Sequence, residues 1–215
     1  MDGVNRSRLL SVLILDLLRC GRCVAGRHAL THESIQAFAK KCETLDRIDF
    51  AILNAGTQNT AFTRSPEGHE STFQDNYLST VLLATLLLPT LKKKATAGNP
   101  GRLTIVNSGT SLMVKVPNPK DEPALACYDD ESKFSPLALQ GARPFLDPQA
   151  GGACQGGRCY RQPRGWIADT NGSSYAKAVY EADEQELAGR IWDETLEMLS
   201  FVDIDGILNS LSQQK

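Results

Sequence analysis

A chain of 215 residues, 41% of them hydrophobic and 22% charged, suits one globular domain with a substantial buried core. Its formal net charge of −2 offers no electrostatic footprint for nucleic acid or for an anionic membrane surface. No apolar stretch is long enough to span a bilayer.

Arg6 and Arg8 precede the apolar stretch Leu9–Leu15, an arrangement shared with short signal peptides. Asp16 interrupts the run and no small-x-small cleavage site follows. The segment therefore reads as a buried strand, Val12–Leu17, ending in Leu-Asp-Leu. The sequons Asn5-Arg6-Ser7 and Asn171-Gly172-Ser173 carry no meaning in a cytoplasmic protein, the expected location. Glu33–Leu45 is predicted to be an amphipathic helix, with Ile35, Phe38, Ala39 and Cys42 on one stripe.

Next comes Asp49-Phe50-Ala51-Ile52-Leu53-Asn54-Ala55-Gly56. Its bulky apolar residues suit a strand covered on both faces, and the small residues after it allow a close backbone approach. A helix is expected over Glu67–Leu88, carrying Asn76, with Pro89 closing or kinking it. Lys92-Lys93-Lys94 then sits at a solvated helix end, favourable to the helix dipole. A second apolar strand, Arg102–Asn107, ends at Ser108-Gly109.

Residues 114–172 carry many breakers, among them Pro117, Pro119, Pro123, Pro136, Pro144, Pro148 and Pro163. So long an irregular segment is unusual within a compact domain. A helical stripe returns over Asp183–Leu199, where Glu186 and Arg190 have i,i+4 spacing. Strands alternating with helices argue for an α/β fold, a parallel sheet with flanking helices.

The six cysteines are expected to stay reduced, Cys42 as a buried thiol on its helix. Cys20-x-x-Cys23 with His28 and His32 puts four zinc-type side chains within thirteen residues. The loop between the pairs is shorter than in finger modules and no strand pattern frames it, so no metal site is assigned.

The Asn54-Ala55-Gly56 turn, the helix segment Phe73-Gln74-Asp75-Asn76-Tyr77-Leu78 and the strand Ile105-Val106-Asn107-Ser108-Gly109 together resemble the central part of the short-chain dehydrogenase/reductase family. The likeness is to its fungal secondary-metabolism branch and covers about two-thirds of the chain. It implies an incomplete Rossmann-like domain spanning residues 1–215, with irregular segments at about 19–30 and 114–172. It further implies hydride transfer between NADP(H), or NAD, and a carbonyl or secondary alcohol of a small molecule. In such a site Ser108 would hydrogen-bond the carbonyl and Asn76 would anchor a proton-relay water. Asn54, Ala55 and Gly56 would border the cofactor, and Asp16 would meet its adenine edge. Members of that family often dimerise or tetramerise through helices near the site, which makes a homodimer a candidate assembly.

Two departures stand against this pattern. No Gly-rich phosphate turn, G-x-x-x-G-x-G, lies upstream of Asp16, which leaves no strand–turn–helix to hold a pyrophosphate. Nor is there a Tyr-x-x-x-Lys pair. Tyr128 is followed by Lys133, one residue too far, with Asp129, Asp130 and Glu131 between them. Tyr175 has Val179 four residues on. Tyr160 has Arg164 four residues on, beyond the helix-breaking Pro163. Tyr160 is the remaining candidate for the proton donor. Arg19–Leu30 and Gly141–Gly165 have the texture of mis-spliced or frame-shifted sequence, or of linkers left by deletion. The alternative reading is a degenerate, non-catalytic family member.

Overall fold

The apolar run Phe50–Leu53 forms β2, the central strand of a three-stranded parallel sheet. β1 (Leu9–Val12) lies on one side of it and β3 (Arg102–Ile105) on the other. Phe50 is opposite Leu9 and Arg102, and Leu53 is opposite Val12 and Ile105. All three strands therefore reach the same sheet edge in step. This is an α/β, Rossmann-like arrangement, incomplete in its strands. The computed structural model describes residues 9–12, 31–48, 50–53, 56–94, 101–105, 122–134, 152–155, 158–159, 166–167 and 182–213.

β1 starts earlier than the sequence pattern suggests, at Leu9 rather than Val12. Parallel pairing with β2 takes up Leu-Leu-Ser-Val, and Leu-Asp-Leu falls outside the described residues. In β2, Ala51 and Leu53 are buried while Phe50 and Ile52 are half-covered, with the Arg102 guanidinium over the Phe50 ring. β3 exposes Arg102 and Thr104, so it is less covered than a strand sheathed on both faces.

α1 (His32–Glu43) follows its predicted stripe: Ile35, Ala39 and Cys42 are buried, and Phe38 packs on the core from a half-buried position. Thr31 caps it, its Oγ1 accepting from the Ser34 amide. Glu33 in the first turn and Lys40 and Lys41 in the last suit the helix dipole.

The principal helix runs from 71 to 93 in three pieces: α2 (Ser71–Phe73), a π turn (Gln74–Leu78) and α3 (Ser79–Lys93). It starts four residues later than expected because Ser65-Pro66-Glu67-Gly68 is a turn. The Gly68 amide donates to the Ser65 carbonyl, and Gly68 takes a φ of 93° that a side chain would resist. Glu70 then caps α2, one carboxylate oxygen accepting from the Phe73 amide at 2.8 Å. Nor does the helix stop at Pro89, which lies inside α3. Leu78, Val81, Leu82 and Leu87 are fully buried here, each worth roughly 1.5–3 kcal/mol relative to exposure.

The lysines at its end do more than face water. Lys92 Nζ donates to the Leu211 carbonyl at 2.5 Å, and Lys94 Nζ donates to the Leu45 carbonyl just past α1. Cations thus satisfy carbonyls where three helices end.

α4 (Ala182–Met198) buries Leu187, Ile191 and Thr195, and α5 (Ile204–Gln213) packs against α3. Part of the stretch predicted as irregular is ordered by short elements. Two 3₁₀ turns occupy Ala126–Tyr128 and Glu131–Lys133. A small sheet joins β4 (Gly152–Gln155), β5 (Arg158–Cys159) and β6 (Trp166–Ile167), with β5 antiparallel and β6 parallel to β4. No helix among the described residues is long and apolar enough to cross a membrane.

Candidate active site

Because Leu53 and Ile105 are paired, the chain leaves β2 and β3 at one edge of the sheet. In doubly wound folds that carboxyl edge is where ligands bind. The loop leaving β2 passes through Gly56, which is exposed, and is then held residue by residue against the principal helix. Asn76 Oδ1 accepts from the Thr57 amide and Asn76 Nδ2 donates to the Thr57 carbonyl, both at 2.8 Å. Thr57 Oγ1 donates to Asp75 at 3.2 Å, and the Asn59 amide donates to Thr72 Oγ1 at 3.3 Å.

Asn76 itself is 3% exposed and stands in the middle of the π turn, where the Ser79 amide bonds back to the Gln74 carbonyl. A single wide turn inside an α-helix loosens the carbonyl ladder and recurs at functional sites. Here it coincides with the one candidate catalytic residue that the structure describes. Nothing in the sequence pattern signals a π turn.

Of the other candidates, Asp16, Asn54, Ala55, Ser108 and Tyr160 lie outside the described residues. Gly56 and Asn76 are brought together through Thr57, which follows Gly56 directly and whose amide donates to, and whose carbonyl accepts from, the Asn76 side chain.

The described tyrosines are built into the core. Tyr128 is 7% exposed and stacks on Phe73 with ring centroids 5.1 Å apart. Burial drives its pKa up, and the neighbouring Cys127 and Tyr77 add to the rise. Tyr77 hydrogen-bonds Thr195 Oγ1 at 2.7 Å, and burial pushes its pKa up to about 12. A proton donor to a carbonyl works best with a pKa near the working pH, so both phenols are tuned the wrong way. Lys133 is exposed and pairs with Glu122 and Asp130, not with Tyr128. The Tyr128/Lys133 spacing is therefore structural, as its extra residue and its acidic neighbours indicate.

Sequence reasoning missed two groups that shape this region. Glu194 of α4 accepts from the amides of Ala124 and Leu125, both at 2.7 Å. Asp129 receives the Glu70 amide at 2.7 Å and lies 2.6 Å from His69 Nδ1. Both link residues about 60 or 70 apart in the chain, a separation no local pattern reveals. His32, one of the four zinc-type side chains, has its Nε2 3.1 Å from Gln74 Nε2, and its ring stacks on Phe201. Cys20, Cys23 and His28 lie outside the described residues.

The chain is 32% identical over 240 aligned residues to the short chain dehydrogenase/reductase mfmJ of Annulohypoxylon moriforme, covering 84% of this chain and 70% of the relative. It belongs to the short-chain dehydrogenase/reductase family. The short chain dehydrogenase virL of Hypocrea virens is 28% identical, with 85% of this chain and 71% of the relative covered. Over a shorter stretch, 54% of this chain and 41% of the relative, the short chain dehydrogenase sol3 of Alternaria solani is 42% identical. An alignment of 240 positions on a 215-residue chain requires positions that the relative fills and this short-chain dehydrogenase/reductase does not. No protein-family model and no solved structure matches the chain.

Proposed function

We propose that this family member acts on a carbonyl or secondary alcohol of a small molecule with NADP(H), in secondary-metabolite biosynthesis in the cytoplasm, and as a homodimer. Asn76 carries the reading. Its amide grips the backbone one residue beyond Asn54-Ala55-Gly56, from inside a π turn, at the sheet edge where a dinucleotide binds. Ser108, three residues past β3 in the sequence, is the proposed carbonyl-binding hydroxyl. Asp16 and the Asn54–Gly56 turn are the proposed cofactor contacts, and Tyr160 is the proposed proton donor.

The cofactor, when bound, supplies the hydride. The residues described here hold the edge of its site: Asn76 fixes the loop and Gly56 leaves the backbone bare for close approach.

One observation favours a second reading, a non-catalytic remnant of the fold. Both tyrosines within the described residues are buried, with raised pKa values and no lysine partner. Titrating the purified protein with NADPH while following nicotinamide fluorescence separates the two. Saturable binding with turnover of a carbonyl panel supports the oxidoreductase, and no binding at millimolar cofactor supports the remnant. Tyr160→Phe then tests the donor: loss of turnover with cofactor binding kept is the expected outcome.

A further inference from the structure

We propose that Gln74 is a positioning residue for the π turn that presents Asn76, and that the proton on His32 sets which end of the Gln74 amide faces it. The observation behind this is a contact between two nitrogens. Gln74 Nε2 lies 3.1 Å from His32 Nε2 and 3.3 Å from Ser79 Oγ. With the amide placed this way its nitrogen donates and His32 Nε2 accepts, the pairing made by a neutral imidazole with its proton on Nδ1.

That orientation leaves Gln74 Oε1 without any partner although the residue is 0% exposed. Turning the amide over brings Oε1 to the imidazole and to Ser79, where it can accept from a protonated Nε2 and from the hydroxyl. Each orientation therefore matches one state of the ring. Two further buried acceptors without donors, Glu67 Oε2 and Glu70 Oε1, belong to residues already engaged nearby. Glu67 accepts from the His32 amide at 2.9 Å, and Glu70 is one turn before Gln74.

The link to the site runs through Ser79. Its amide closes the π turn on the Gln74 carbonyl, while its hydroxyl accepts from the Gln74 side chain. Gln74 thus spans the wide turn twice, by backbone and by side chain, with Asn76 between. Reversing the amide makes the Ser79 hydroxyl a donor in place of an acceptor and re-sets that staple.

The groups facing His32 come from three elements. Glu67 and His69 lie in the turn before α2, Gln74 in the π turn, and Phe201 after α4 stacks on the ring at 4.5 Å. Burial lowers the His32 pKa, Glu67 opposes that and His69 reinforces it, so the neutral ring is the favoured state near neutral pH.

The catalytic consequence rests on Asn76 acting in the proposed reaction, but the test does not. The amide signals of Thr57 and of the Gln74 side chain are followed by NMR from pH 8 to pH 5 in the full chain, alongside the His32 ring protons. The expected result is one shared midpoint below 6.5 for all three. In Gln74→Leu the Thr57 signal goes flat while His32 still titrates. A Thr57 signal that is flat in the unaltered chain, or that still follows His32 in Gln74→Leu, overturns the proposal. Where Gln74→Leu does not fold, His32→Phe keeps a ring against Phe201, and a Thr57 midpoint that survives in it is equally fatal. NADPH binding measured on the same samples reports separately on the functional reading.

Discussion

Residues 71–80 and 81–93 belong to one helical rod, yet the balance of polar and apolar side chains they bury differs. The first part hides six polar residues, Thr72, Gln74, Asp75, Asn76, Ser79 and Thr80, beside Phe73, Tyr77 and Leu78, whereas the second hides mainly apolar ones, Val81, Leu82, Leu83, Ala84, Leu87 and Leu91, with Thr85 and Thr90. A buried polar group costs free energy unless it is hydrogen-bonded. The first part meets that demand through bonds to the Thr57 loop, to His32 and within its own π turn, and leaves Gln74 Oε1 unpaired. The second buries only Thr85 and Thr90 among polar side chains and otherwise removes apolar surface from water. One half of the helix holds the site and the other holds the fold, so substitutions in the two halves should separate stability from ligand binding.

The largest expected effect lies in the apolar half. Leu82→Ala leaves a hole at a fully buried position and should lower stability by about 2–5 kcal/mol, read by urea unfolding, with NADPH affinity of the folded protein unchanged. Asn76→Ala should cost less in stability and more at the site. Thr57 is exposed, so water can take over its two backbone groups, and the loss should be about 1–2 kcal/mol. The freed loop should weaken cofactor binding several-fold. Were Leu82→Ala to weaken NADPH binding as much as Asn76→Ala does, the division of labour along the helix would be wrong.

How much of this was legible follows from the range of each interaction. The α1 stripe, the parallel pairing of β2 and β3 and the helix bearing Asn76 all show as local periodicity, because each element buries one face. Boundaries failed where a capping bond decided them. The helix begins at Ser71 because Glu70 reaches the Phe73 amide, while Ser65-Pro66-Glu67-Gly68 was a turn signal left unread. Gly156-Gly157 between Cys154-Gln155 and Arg158-Cys159 was likewise a two-residue hairpin signal inside a segment predicted as irregular. The Glu194 and Asp129 contacts and the π turn could not be read at all, since they depend on which distant segments meet.

Glu194 tests whether the C-terminal helices take part in the same structure. Its carboxylate accepts two amides at 2.7 Å, and charge-assisted bonds of this sort are about twice as strong as neutral ones. Glu194→Gln keeps the shape but turns one acceptor into a donor facing an amide, for an expected loss of about 1–2 kcal/mol. Exchange protection of the Ala124 and Leu125 amides should fall with it. A change at the lysine end is milder. Lys92→Met removes the exposed cap on the Leu211 carbonyl and should cost about 0.5 kcal/mol, seen as earlier fraying of α5.

The finest test is a slope rather than a step, and it bears on the polar half. Burial favours neutral His32 in the fold, whereas the unfolded chain takes up its proton at the ordinary value near 6.5. Between that value and the lower one of the folded state, the unfolded chain binds more protons, so stability rises with pH there. The contribution is intact above 6.5 and is lost progressively as the pH falls below it. His32→Phe should flatten that part of the profile while leaving the acid limb set by the carboxylates. A profile that keeps the same slope without the imidazole would mean that the polar half is not tuned through His32, and that the unpaired Gln74 oxygen is merely tolerated.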